Sequence, residues 1–287
     1  MASLTLPTTG YAPVESTKTN SLRITTALAQ AVKAQDFVQC GGSRTRAWMV
    51  VADGHGGDHV IDKINSFDFG AILDGENPSE LVPRLQAVTN SADSLGLSWR
   101  LGGGSTLSVV EMNDNTIQIT WLGDSQVIVL EDGEEIFRTS PHNAESDRDL
   151  LGGRATITSW AMSLNSQLEI VPTLSSYVVH GPYDKCNLVR CLGHGGRCVN
   201  EPGTCLITRT PGKAYRVVVG SDGFWDMMSP CLEDKARLLL VDAPGLCDLA
   251  MKRWKQEWPY RTTEGVSHQH FAEGDWDDIA IAVWNSA

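Results

Sequence analysis

The sequence predicts a layered α+β domain, and three observations carry that prediction. Short strands joined by tight turns fill its middle, helical segments are set apart from those strands, and no repeat or regular β-α-β alternation runs through it. The 287 residues suit one large globular domain or two small ones. A hydrophobic fraction of 41% with 20% charged residues is that of an ordinary folded protein. Residues 1–21 are expected to be a poorly ordered polar tail. One domain then covers 22–287, with an irregular insert at about 141–211.

Each element has a local reason. The stretch 22–34 is rich in Ala, Leu and Gln, with Asn20 and Ser21 as caps, and predicts a helix. Residues 48–52 are an apolar strand that stops at Asp53-Gly54. A second helix is predicted over 79–97, with Pro83 near its first turn, where proline is tolerated. Strands follow at 105–111 and, after the turn Asn113-Asp114-Asn115, at 116–122, where Ile117, Ile119 and Trp121 alternate with polar residues. The strand 126–130 is closed by the hairpin dipeptide Asp132-Gly133. Such close neighbours pair antiparallel. The stretch 141–211, rich in Gly, Cys and Ser with weak periodicity, reads as an irregular insert with a few short strands. A strand at 215–219 ends at Ser221-Asp222-Gly223. Helices are expected at about 230–241 and 246–258, and a last strand at 279–284.

Thirty-five Asp and Glu against 23 Lys and Arg give a net charge of -12, which argues against a nucleic-acid backbone as partner. The longest apolar runs, 47–52 and 279–284, are six residues, against about 20 for a membrane-spanning helix. Seven cysteines, an odd number, suggest a reducing compartment. The start lacks the charged and apolar regions of a secretory signal, and Ala2 stands where myristoylation needs glycine. Glu15, and the lack of arginine before Arg23, weigh against a transit peptide. The expected setting is cytoplasmic, or nuclear, and the expected state monomeric.

Four β segments begin or end at an aspartate: Asp53-Gly54, Asp124-Ser125, Asp222-Gly223 and Asp277-Asp278. One such acid is an ordinary turn residue. Four of them, with His55 two residues beyond Asp53, point further. If the strands lie in facing sheets, their ends bring the acids together, and the cluster repels itself unless cations sit in it. Hard divalent ions take carboxylate, carbonyl and water oxygens, and Gly54 lets its carbonyl approach an ion closely.

At these residues the chain resembles the metal-dependent protein serine/threonine phosphatases of type 2C. Asp53-Gly54-His55-Gly56-Gly57 looks like the family's D-G-H-G-G box, and Gly104-Ser105-Thr106 resembles its G-S-T strand start. Leu122-Gly123-Asp124-Ser125 is similar to the G-D-S segment. Ser221-Asp222-Gly223-Phe224-Trp225-Asp226 matches S-D-G-hydrophobic-W-D, and Asp277-Asp278-Ile279-Ala280 resembles the final D-[ND]-hydrophobic-T motif. The boxes run in the family's order from about 36 to 283.

The resemblance implies two facing antiparallel sheets, a β-sandwich flanked by α-helices in four layers, with a site for two Mn2+ or Mg2+ ions at one end. It implies that Asp53 bridges the two ions, that the Gly54 carbonyl binds one of them, and that Asp222 and Asp277 complete the other. Asp36 takes the place of an acid that holds metal-bound waters, and Asp124 and Asp226, with Asp222, that of a third, weaker ion. The implied reaction is in-line attack on a phosphoserine or phosphothreonine protein by a water bridging the ions, with His55 as general acid to the leaving alkoxide.

Three departures stand out. Ala31 replaces the arginine that binds substrate phosphate, leaving Lys33 as the nearby cation. The R-A-L-G-D segment reads Arg190-Cys191-Leu192-Gly193-His194, and D-H-x-P is reduced to Pro141-His142-Asn143. The alternative these leave is a pseudophosphatase that binds a phosphoprotein or partner without turnover. Cys186, Cys191, Cys198 and Cys205, with His180 and His194, leave a zinc clip conceivable, though their spacing is not that of a zinc knuckle. Trp254 and Trp258 read as core aromatics on one helix.

Overall fold

The computed structural model describes residues 11–12, 14–19, 23–31, 33–43, 45–75, 78–90, 103–151, 156–181, 184–194, 198–199 and 201–286. Strands are numbered in chain order. One sheet holds β1 (Glu15–Thr19), β2 (Ile24–Ala29), β8 (Gln126–Glu131), β9 (Glu134–Arg138), β15 (Tyr215–Gly220) and β18 (Ile279–Asn285), in the order β1-β2-β18-β15-β8-β9, all antiparallel. A second holds β3 (Asp36–Gly42), β4 (Arg46–His55), β5 (Gly104–Ser105), β6 (Leu107–Asn113), β7 (Thr116–Leu122), β13 (Leu192–Gly193) and β14 (Gly203–Thr208). Its order is β13-β5-β4-β6-β7-β14, with β3 on β4. A third, smaller sheet joins β10 (Thr156–Leu164), β11 (Ile170–Gly181), β12 (Asp184–Cys186), β16 (Trp258–Thr262) and β17 (Gly265–Gln269).

The two large sheets face each other because their central strands are apolar on both sides. Met49 and Val51 of β4, Val217 and Val219 of β15, and Ala280 and Ala282 of β18 meet in the core between the sheets. Their neighbours point the other way. Trp48, Val50 and Ala52 pack under the helices His59–Asn65, Phe69–Leu73 and Leu81–Thr89. Val218, Ile279, Ile281 and Val283 pack under Asp222–Trp225, Leu232–Leu240 and Ala243–Lys255. Three apolar layers therefore separate helices, sheet, sheet and helices, which is the expected four-layer α+β sandwich. Burying one such aliphatic side chain is worth about 1.5–3 kcal/mol. No helix among the described residues is long and apolar enough to cross a membrane.

Some local expectations are corrected. The stretch 22–34 is not a helix: Ile24–Ala29 is strand β2, paired on both sides by β1 and β18. Ile24 and Leu28 face the inter-sheet core and Ala27 and Ala29 the helical layer, so two-sided burial overrides the helix propensity of Ala and Leu. Glu15–Thr19, within the expected tail, is the edge strand β1. The insert is more regular than predicted. β10 and β11 form a long hairpin, 156–164 on 170–178, and β14 pairs with β7. The predicted helix at 79–97 is seen over Leu81–Thr89; 91–97 lie outside the described residues. Trp254 and Trp258 are both buried, but Trp258 opens β16 rather than sharing the helix of Trp254.

Candidate metal centre

The sheet ends that carry the acids are tied to one another by small hydroxyl side chains. Thr106 Oγ1 accepts from Asp53 N at 3.0 Å, the Thr106 N–H donates to Asp53 O at 2.9 Å, and Thr106 Oγ1 meets Ser125 Oγ at 2.6 Å. Thr106 and Ser125 are themselves buried, so they lock the turn at the end of β4 to the turn that presents Asp124. Ser221 does the same on the other sheet. Its Oγ accepts from Ala280 N at 3.0 Å, and its N–H donates to Ala280 O at 3.0 Å. Gly223 leaves no choice of residue, because a Cβ there would lie 2.0 Å from Asp278 O. Trp254 Nε1 donates to Gly223 O at 2.8 Å and pins the short helix that begins at Asp222.

These ties bring one carboxylate oxygen each of Asp53, Asp124 and Asp222 within 4.8 Å of one another. Asp36 stands opposite Asp53 in the β3–β4 ladder and is buried. Asp36 Oδ2 and Asp222 Oδ1 are buried carboxylate oxygens with no hydrogen-bond partner. Buried acceptors of this kind are costly unless a cation or proton meets them. Hard oxygen donors in such a set fit a Mg2+- or Mn2+-class ion.

The electrostatics agree. Burial, then the charge of Asp222, holds Asp53 well above the ordinary carboxylate range, and burial, then Asp278, does so for Asp36. Burial, then Asp222, lifts Asp124 to about 8; burial, then Asp277, raises Asp222. Asp226 is raised by surrounding protein and by Asp222 and Asp124, although its side chain keeps contact with solvent.

A cavity of about 150 Å³ opens over the cluster, lined by Lys33, Asp53, Gly54, His55, Asp124, Asp222 and Asp277 together with Asn187 and Leu188 of the insert. Seven of the nine residues singled out in the sequence thus share one small cavity; Asp36 and Asp226 are not in its wall. Lys33 Nζ donates to Asp277 Oδ1 at 3.1 Å. Burial lowers the affinity of Lys33 for its proton, but the Asp277 charge outweighs that and holds the ammonium above its ordinary range. Asp278 accepts from Ala31 N at 2.5 Å and Gln35 N at 2.7 Å, closing the loop that carries Lys33. A larger cavity, of about 590 Å³, lies between β8–β9 and 228–239, and none of the sequence-marked acids lines it.

Sequence reasoning missed the partner of His55. His55 Nε2 and His194 Nε2 are 2.7 Å apart, although 139 residues separate them. In register, Gly104 of β5 pairs with His55 on one side and Gly193 on the other, so the two rings meet over a glycine. Burial, then His194, pushes His55 down to about 3, which makes it a neutral imidazole. His142, from the reduced D-H-x-P element, stacks on Trp121 and accepts from Gly123 N at 3.2 Å beside Asp124. The four-cysteine clip is not assembled: Cys186, Cys191 and Cys198 cluster, whereas Cys205 lies on β14 against the inter-sheet core.

No family model matches the chain, and no curated protein matches it by sequence. Solved structures do. A serine-threonine phosphatase 2C from Toxoplasma gondii aligns with a TM-score of 0.58 at 13% identity, over 98% of this chain and 100% of that one. A C. elegans sex determining protein aligns at 0.53 and 18%, over 94% of this chain, which spans 66% of that one. The catalytic domain of the serine threonine protein phosphatase PstP, in complex with two manganese ions, aligns at 0.51 and 18%, over 92% and 98%. The chain thus has the α+β sandwich fold of the type 2C serine/threonine phosphatases.

Proposed function

We propose that the chain is a divalent-metal-dependent phosphatase acting on phosphoserine and phosphothreonine in proteins. The convergence of Asp53, Asp124 and Asp222 at the rim of this fold carries the reading. Asp53 and the Gly54 carbonyl would hold one Mn2+ or Mg2+ ion, and Asp53 with Asp222 and Asp277 a second, as the two manganese ions of PstP suggest. Asp36 would support them from behind, and Asp124 and Asp226 would serve a third, weaker position. Bound ions would supply Lewis-acid activation of water and neutralise charge on the phosphoryl oxygens.

The chain's own side chains do the rest. Lys33, a cation at the cavity edge, would bind substrate phosphate as a point charge, without the fork of the family's arginine. His55, neutral in the free protein, would hand a proton to the leaving alkoxide once the negative charge of a bound phosphate raises the ring's proton affinity. The competing pseudophosphatase reading draws on Ala31 and on the engagement of Lys33 by Asp277. Hydrolysis of an aryl phosphate and a phosphothreonine peptide, with Mn2+ and with EDTA, decides between them. The proposal expects turnover that chelator abolishes and Mn2+ restores; normal Mn2+ binding with no turnover would favour the silent relative.

Two substitutions follow. Lys33→Ala should raise KM by roughly 10- to 150-fold with little change in kcat, the cost of one charge-assisted contact at ~1.5–3 kcal/mol. A silent Lys33→Ala would place phosphate recognition elsewhere. His55→Gln should slow alkyl phosphopeptide hydrolysis by roughly 10²–10⁴-fold, and aryl phosphate far less, since aryloxide leaves without help. Equal losses on both substrates would assign His55 a structural role.

A further inference from the structure

His55, Cys191 and His194 form a second group of convergent donors beside the acid cluster. One ligand atom from each, two ring nitrogens and the thiol sulfur, lies within 4.8 Å of the others. Two imidazole nitrogens 2.7 Å apart cannot both present lone pairs; a proton or a metal ion must stand between them. The His55 ring also hydrogen-bonds the Asp53 main chain, the kind of outer contact that fixes a metal-ligating histidine. The space is built. An added Cβ on Gly104 would fall 2.4 Å from His194 Nε2 and 2.7 Å from His55 Nε2. Cys191 is fully buried and packs with Cys198 in the same cluster.

The donor type decides the ion. Thiolate and imidazole select zinc-class metals, whereas the carboxylates next door suit Mg2+ or Mn2+. With Zn–N of about 2.0–2.1 Å and Zn–S of about 2.3 Å, tetrahedral ligand atoms lie roughly 3.3–3.7 Å apart. The two rings need only part slightly, and the sulfur close in.

We infer that His55, Cys191 and His194 are a zinc-class site, distinct from the acid cluster, whose occupancy withdraws His55 from proton transfer. On binding, the Cys191 S–H bond breaks, its proton leaves to solvent and the sulfur lone pair goes to the metal. Both imidazoles bind neutral through Nε2, with their ring protons at Nδ1. The inhibitory consequence rests on the phosphatase reading; the site itself does not.

The test titrates the full chain with Zn2+ by calorimetry under saturating Mg2+, so that the carboxylates are filled, and repeats it with Co2+ as a spectroscopic probe. Wild type should take up one Zn2+ and show a thiolate-to-cobalt charge-transfer band. Cys191→Ser should abolish that band and weaken Zn2+ by at least the roughly 10–100-fold that even an outer-shell loss costs. His194→Asn, which suits the left-handed backbone at 194 (φ 54°), should do the same, and Cys205→Ser should change nothing. Should a variant not fold, the wild-type cobalt spectrum still reads the thiolate ligand directly through its charge-transfer band. An unchanged cobalt spectrum in Cys191→Ser, no Zn2+ uptake under Mg2+, or a wild-type cobalt spectrum without a thiolate band would each overturn the site. These readouts do not depend on turnover. Zinc uptake by a protein that shows no phosphatase activity with Mn2+ before zinc is added would sink the phosphatase reading and leave the site standing; activity without zinc uptake would do the reverse.

Discussion

Asp222→Asn is expected to cut phosphoester hydrolysis by at least about 10²–10³-fold, the loss that follows removal of one preorganised electrostatic contact, while making the metal-free protein more stable. The two effects have one cause. Burial, then Asp277, raises Asp222 above its ordinary value, so its charged form is costly in metal-free protein. A carboxyl raised on folding contributes stability below its unfolded pKa and loses it as pH climbs through the folded one. Asp124, at about 8, extends that window to neutral and mildly alkaline pH. Wild-type protein in EDTA should therefore melt at lower temperature at pH 8 than at pH 5, and the neutral amide should flatten that slope. Mn2+ should raise the wild-type melting temperature and raise the variant's less. Full turnover in Asp222→Asn, or a lower melting temperature than wild type in EDTA, would refute this account of the cluster.

The second large effect is on stability. Asp234→Ala should cost about 3–5 kcal/mol, because it strands a buried guanidinium. Arg253 reaches Asp234 through both terminal nitrogens, at 2.6 and 2.7 Å, with side-chain exposures of only 4% and 0%. Burial alone would raise Asp234, but the bonds from Arg253 and Ser229 N outweigh it and hold the carboxyl below its ordinary value. Arg253 also donates to Met227 O at 2.6 Å, so the pair ties the helix Ala243–Lys255 to the chain just beyond Asp226. Denaturant unfolding of Asp234→Ala and of Asp234→Leu/Arg253→Met separates the terms. The double variant should recover much of the loss, since an apolar pair removes both charges together. A loss under about 1 kcal/mol in the single variant would mean that the pair is idle.

What the sequence made legible follows its local physics. β7 was predicted to the residue, because Ile117 and Ile119 alternate with polar neighbours and one face is buried. β4 and β18 were readable as continuous apolar runs, though burial on both faces hides their periodicity. β2 was not readable: its Ala-rich stretch has helix propensity, and only pairing with β18, over 250 residues away, makes it a strand. The hairpin β10–β11 was lost because its faces are weakly contrasted in polarity, with Leu174 and Met162 left exposed. Among the candidate site residues, acids at strand ends were visible because a turn residue repeated at four sheet ends is unusual. His194 carried no such signal, since its meaning depends on Gly104, which only the β13-β5-β4 ladder places between it and His55.

The four layers also bear on how the acids are approached. Helices cover the outer faces of both sheets, and the cavity over the acids opens at the rim, where turns and the insert meet. Asn187 and Leu188 are the insert's contribution to that doorway, and Asn187 Nδ2 sits 3.5 Å from Asp124 Oδ2. The acids are stapled by Thr106, Ser125 and Ser221 within the sandwich, while the insert adds Asn187 and Leu188 to the threshold and His194 beside His55.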